Sequence, residues 1–272
     1  MNIGIIQFPG TNCQRETAMA VSRAGMRPVQ LLWNASAEEI ASMDGYVIAG
    51  GFSYEDRGRS GIIAAQDPIM DILRREALKG KPIIGICNGA QVLLESGMVP
   101  GCSGMSGPPE AALTTNRRVR DNKVVGTGYY NTWSTLRVTP GGNRGVFTSR
   151  FADRECITVP IAHGEGRFLF PEDIAGMLME YQMIPFRYAD QGGELHDEFP
   201  VNPNGSMLQA AGITNREGTI LALMPHPERT AEGDRIFQSM AAYIRRGVTP
   251  IDPSPLILPA ETPILTPYVP DR

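Results

Sequence analysis

Histidine and tryptophan are scarce in this 272-residue chain, with three and two residues. A histidine-rich metal cluster therefore has little to draw on. The four cysteines, Cys13, Cys87, Cys102 and Cys156, include no CxxC pair. That removes the usual sequence sign of a zinc site or a disulfide framework. No apolar run reaches the roughly 18–20 residues that a membrane span needs. The start, "MNIGIIQFPG", lacks the basic opening and cleavage site of a signal peptide. There is no basic cluster with interleaved aromatics, and the net charge is −4. Nucleic acid and anionic membrane are thus poor partners. The expectation is a chain without metal, working in a reducing, cytoplasmic compartment.

What is present is a hydrophobic fraction of 42%, enough for a real core. Strand and helix patterns alternate along the first hundred residues. "NIGIIQF", "PVQLLW", "DGYVIAGG" and "KPIIGI" are short apolar runs. Between them lie "NCQRETAMAVSRAG", stopped by Gly25, "SAEEIASM", with Ser36 and Glu39 at capping-box spacing, and "DPIMDILRREALKG". Continuous apolar strands joined by helices predict a mostly parallel central sheet covered by helices on both faces, an α/β fold of flavodoxin-like style. Beyond about residue 115 the pattern weakens. "VVGTGYYNTWSTLRV" and "CITVPIAHG" read as β segments, "TILALMPHPERT" as a strand entering a loop, and "EGDRIFQSMAAYIRRG" as a helix. One domain is expected over residues 1–247. Residues 248–272, rich in proline, read as an extended arm or tail.

The stretch "KPIIGICNGAQVLLE" sets Cys87 between Gly85 and Gly89, where a strand pattern gives way to a helical one. Gly-x-nucleophile-x-Gly is the sequence form of a sharp strand-to-helix turn that lifts its central side chain above the sheet. The helix N-terminus beneath it favours thiolate. A cysteine nucleophile also needs a base and an orienting group. His196 lies in an acidic polar loop and reads as solvated. His226 and His163 are rivals, each with a glutamate two residues on, Glu228 and Glu165. Extended backbone would place either pair on one side. Pro225 and Pro227 would hold the first pair extended, while glycine separates the second. For an oxyanion, the glycines of "AGGFSYED" and the Asn88 amide are the natural donors. Cys13, Cys102 and Cys156 read as packing residues, and Trp33 and Trp133 as core.

With these residues the sequence resembles the class I, triad-type glutamine amidotransferases. More narrowly, it resembles the glutaminase subunits of phosphoribosylformylglycinamidine synthase. The resemblance is carried by "FPGTNC", "GGFSYEDRGRSG", "GICNGAQVLLE", "PIAHGEGRF", "NPNGSMLQAAGITN" and "MPHPER", in that order over roughly residues 3–229. It implies the flavodoxin-like amidotransferase fold. It implies Cys87 attacking the glutamine side-chain amide, His226 moving the proton and Glu228 orienting it. Gly51, Phe52 and Asn88 would give the oxyanion hole. His163 and Glu165 would serve the glutamine pocket or a partner face. The resemblance further implies ammonia passed to a large synthetase subunit, which would hold ATP and magnesium, and a small third subunit, with no cofactor in this chain. Many relatives have glycine where Glu55 stands, which a side chain tolerates if φ is negative. Three alternatives stay open: a glutaminase subunit of another amidotransferase, a stand-alone cysteine hydrolase and a non-catalytic scaffold.

Overall fold

The computed structural model describes residues 1–141, 145–251 and 254. Its first half follows the alternation of the sequence. The strands are β1 (Asn2–Gln7), β2 (Arg27–Leu32), β3 (Gly45–Ile48) and β4 (Ile83–Ile86). The helices are α1 (Gln14–Arg23), α2 (Ala37–Ala41), α3 (Ile62–Ala65), α4 (Pro68–Leu78) and α5 (Asn88–Glu95). Local chemistry sets their ends. Ser36 and Glu39 form the reciprocal capping box of α2, Asp67 caps α4 ahead of Pro68, and Gly25 takes φ +76° just past α1. β3 and β4 are buried along their whole length, as expected for parallel strands covered on both faces.

The second half supplies β5 (Ala112–Thr114), β6 (Arg117–Arg120), β7 (Lys123–Thr127), β8 (Tyr130–Val138), β9 (Cys156–His163), β10 (Arg167–Leu169), α6 (Glu172–Glu180), β11 (Phe186–Ala189), β12 (Ala210–Thr214), β13 (Ile220–Leu223) and α7 (Asp234–Arg246). Nine strands make one sheet in the order β2-β1-β3-β4-β13-β12-β11-β8-β9. Pairing is parallel from β2 to β13 and antiparallel from β13 to β9. The parallel half has the crossover order expected of a doubly wound sheet. β5 pairs with β10, and β6 with β7, in two small ribbons.

Two expectations change here. Trp33 and Trp133 are not core residues: they are 42% and 64% exposed. Glu55 does not have negative φ: Tyr54, Glu55 and Asp56 lie at +52°, +59° and +53°. This left-handed run is held by Tyr54 Oη donating to Asp67 and by Asn88 Nδ2 donating to Asp56. As for the C-terminal arm, only its start is described: Ile251 is buried and its N–H donates to Leu78 O. The rest of that expectation lies outside the described residues.

Candidate active site

Cys87 alone makes the turn between β4 and α5, at φ +51° and ψ −107°. That conformation is strained for a residue with a side chain. Strand and helix leave no room to relax it. A Cβ on Gly85 would lie 2.3 Å from Gly89 O, and one on Gly89 would lie 2.0 Å from Ile48 O. The two glycines therefore permit contact between α5, its own strand and β3. Cys87 N–H donates to Leu223 O of β13, which fixes the turn beside the next strand. No side chain caps α5, so its first N–H groups remain open beside the cysteine.

His226 follows β13. The "MPHPER" segment is not extended as expected, since Pro227–Arg229 form a 3-10 turn. Proline suits the first position of a helical turn because its missing N–H is not needed there. The turn still brings Glu228 Oε1 to 2.7 Å from His226 Nδ1, both side chains being buried. The Cys87 sulfur acts electrostatically on the same ring. Burial alone would depress the His226 pKa. The Glu228 carboxylate and the Cys87 sulfur outweigh it and raise the value well above that of an ordinary imidazole.

The rival pair does not form. His163 Nδ1 faces Asn116 Oδ1 at 3.2 Å, while Glu165 Oε2 accepts from Ser60 N–H at 3.3 Å. Gln91 Nε2 donates to Glu165 O, which ties α5 to the loop after β9. His196 is half exposed and meets Asp190. Among the expected oxyanion donors, Phe52 is withdrawn because its N–H already donates to Gly10 O at 3.0 Å. The Gly51 and Asn88 N–H groups carry no hydrogen bond among the described residues. The Asn88 side chain instead braces the loop, accepting from Ser53 N–H and donating to Gln91.

Cys13 is nearer the chemistry than a packing residue need be. A Cβ on Gly50 would touch both Cys13 Sγ and the His226 ring, at 3.3 and 3.2 Å. Donor atoms of Cys13, His226 and Glu228 lie within 4.8 Å of one another. Arg229 Nη2 sits 3.5 Å from Cys13 Sγ, and the raised His226 adds a second positive charge. That environment suits proton transfer better than a bound cation. Burial raises the Cys13 pKa, so it rests as a thiol. Sequence reading also missed Asn116, Tyr188 and Asn204: Asn116 Oδ1 accepts from Gly166 N–H, and Asn204 Nδ2 donates to Gly166 O and Tyr188 Oη. Asn204 was visible as part of "NPNGS" but had no assigned role.

A strained cysteine at a helix N-terminus, facing a carboxylate-braced imidazole on an α/β sheet, defines a cysteine-dependent amide-cleaving class. Residues 1–241 match the family model of the CobB/CobQ-like glutamine amidotransferase domain. The chain is 43% identical to phosphoribosylformylglycinamidine synthase subunit PurQ of Methanothrix thermoacetophila, over 90% of this chain and 98% of that one. The solved structure of PurLQS from Thermotoga maritima matches with TM-score 0.69 and 30% identity, covering 89% of this chain and 98% of that one. A putative GMP synthase subunit from Thermoplasma acidophilum shares the fold at TM-score 0.54 and 15% identity, over 90% of this chain and 94% of that one. The chain belongs to the PurQ family of phosphoribosylformylglycinamidine synthase subunits.

Proposed function

We propose that Cys87, His226 and Glu228 perform the amide cleavage. As a PurQ-family member, the chain is the glutaminase subunit of phosphoribosylformylglycinamidine synthase, in purine biosynthesis. The observation that carries the residue assignment is the buried His226–Glu228 contact of 2.7 Å beside the strained Cys87. Cys87 sulfur attacks the side-chain carbonyl carbon of glutamine, and the S–C bond forms. The carbonyl oxygen gains charge, which the Gly51 and Asn88 N–H groups are free to receive. His226, a protonated imidazole steadied by Glu228, gives its proton to the amide nitrogen. The C–N bond breaks and ammonia leaves a glutamyl thioester. Water then attacks that thioester, with neutral His226 taking its proton, and glutamate departs.

Ammonia passes to the large synthetase subunit, with a small third subunit completing the assembly. ATP and magnesium belong to that synthetase, and this chain works in the cytoplasm. No helix among the described residues is long and apolar enough to cross a membrane. The test is the reconstituted complex with Cys87→Ala. Glutamine-supported synthesis should fall by about 10³-fold or more, because the nucleophile is gone. Ammonium-supported synthesis should stay near the wild-type rate. Persistent glutamine-dependent synthesis would remove Cys87 as nucleophile.

A further inference from the structure

Beside the triad stands a buried group whose hydrogen-bond role is fixed and unmet. Asn116 Nδ2 donates to His163 O and Gly128 O at 2.6 and 3.2 Å, and Asn116 Oδ1 accepts from Gly166 N–H at 2.9 Å. These contacts establish which end of the amide is oxygen. The same oxygen faces His163 Nδ1 at 3.2 Å, so that nitrogen must carry the hydrogen. His163 Nε2 is then an acceptor. It is buried and has no hydrogen-bond partner among the described residues. Burial, aided by the nearby His226 charge, pushes the His163 pKa down to about 3, so the ring stays neutral. An unmet buried acceptor is rare and calls for a visiting donor.

Its place narrows the visitor. β9 is an edge strand, and its free edge closes on the catalytic segment. Pro160 O accepts from His226 N–H at 2.9 Å, and Ala162 O lies 3.9 Å from Cys87 Sγ. The nucleophile therefore stands against that edge, whose last residue is His163. The N–H groups of Gly51, after β3, and Asn88, opening α5, carry no hydrogen bond among the described residues. The His226 and His163 rings are close enough for the charge of one to act on the other. A carboxamide has an acceptor oxygen and a donor NH2. With its oxygen on those N–H groups, its NH2 would fall to the imidazoles. His226, protonated, can only donate towards that nitrogen. His163 Nε2 can accept from it.

We propose that His163 is a specificity-determining residue whose Nε2 accepts an N–H of the scissile carboxamide, selecting an amide over a γ-ester or γ-carboxylate. The proposal rests on the glutaminase reading above and adds a second imidazole of opposite role. His226 supplies the proton as the C–N bond breaks, and His163 holds the nitrogen in line while it leaves as ammonia. After hydrolysis an anionic oxygen faces the same lone pair, which disfavours retention of glutamate.

The experiment compares glutamine with glutamate γ-methyl ester in the reconstituted complex. Both substrates give the same thioester at Cys87, but only glutamine presents an N–H to His163. His163→Leu should lower kcat/KM for glutamine by about 10- to 100-fold and for the ester by less than about 3-fold. His163→Gln, whose Oε1 also accepts, should recover part of the glutamine loss. Equal losses on the two substrates, or no loss on glutamine, would overturn the proposal. Should His163→Leu not fold, Gly166→Ala replaces it, since its Cβ would fall 2.1 Å from His163 Cε1 and displace the ring. It must give the same selective loss. A wild-type complex that cleaves neither substrate, or undiminished cleavage by Cys87→Ala, would instead sink the glutaminase reading.

Discussion

Two buried imidazoles have pKa values moved in opposite directions, and the surroundings of each explain why. His226 has a carboxylate at 2.7 Å, and its pKa goes up despite burial. His163 has only a neutral amide, and burial drives its pKa down to about 3 from 6.5. The second shift has a consequence for stability. Between pH 6.5 and 3 the unfolded chain binds a proton at this position and the folded chain does not. The penalty is absent above pH 6.5 and grows as pH falls, by up to about 1.4 kcal/mol per pH unit. His163→Gln removes the titrating group. Its cost to folding, measured by urea denaturation, should therefore be about 2 kcal/mol smaller at pH 5 than at pH 7. Carboxylates titrate in both proteins and cancel in the difference. A cost that does not change between those two pH values would mean that His163 is not held neutral.

At the scale of elements, the site depends on how closely α5 rides on β3 and β4. Gly89→Ala should force the helix off Ile48 O, since its Cβ would stand 2.0 Å from that oxygen. The expected cost is about 2–4 kcal/mol in chemical denaturation. Glutamine turnover should drop with it, because Asn88 and Cys87 move with the helix. A stable, fully active Gly89→Ala protein would show that this approach is not required. The same contact explains what could be read beforehand. Glycine spacing, apolar runs and caps are local, so β1 to α5, except the short α3, and the Cys87 turn were legible. His226 and Glu228 were also legible, being two residues apart, although a 3-10 turn joins them and not an extended strand. β11 and β12 were not singled out. β12 begins after left-handed Leu208 and Gln209, and although β13 follows closely, its other partner, β11, lies across the long connection 190–209. Asn116 and Tyr188 announce nothing locally, because their roles arise only when the link between β5 and β6 meets the end of β9, and when β11 meets the Asn204 loop. The Phe52 amide was misjudged because its acceptor, Gly10 O, comes from the loop after β1.

Across the whole molecule, the proposed triad is tied to a contact between α1 and α7, the first and last helices among the described residues. Arg23, ending α1, pairs with both carboxylate oxygens of Asp234, the first residue of α7, at 2.7 Å each. Its Nη2 also donates to Glu228 O at 3.0 Å, which fastens the catalytic turn to the same guanidinium. Asp234 is buried and Arg23 is 40% exposed on its side chain, so solvent weakens the pair without abolishing it. A planar fork can satisfy a carboxylate and a carbonyl together, whereas an ammonium offers a point charge. Arg23→Met should therefore cost about 1–2 kcal/mol of stability by leaving Asp234 without its partner. It should also lower kcat for glutamine more than it raises KM, because Glu228 loses the bond that holds its backbone. Arg23→Lys should restore much of the stability and less of the kcat, since one ammonium does not reproduce the forked contact. Asp234→Asn alone should affect stability while leaving the Arg23–Glu228 bond in place, so its kcat should stay closer to wild type. If Arg23→Met and Asp234→Asn reduce kcat equally, the clamp acts through overall folding and not through the catalytic turn.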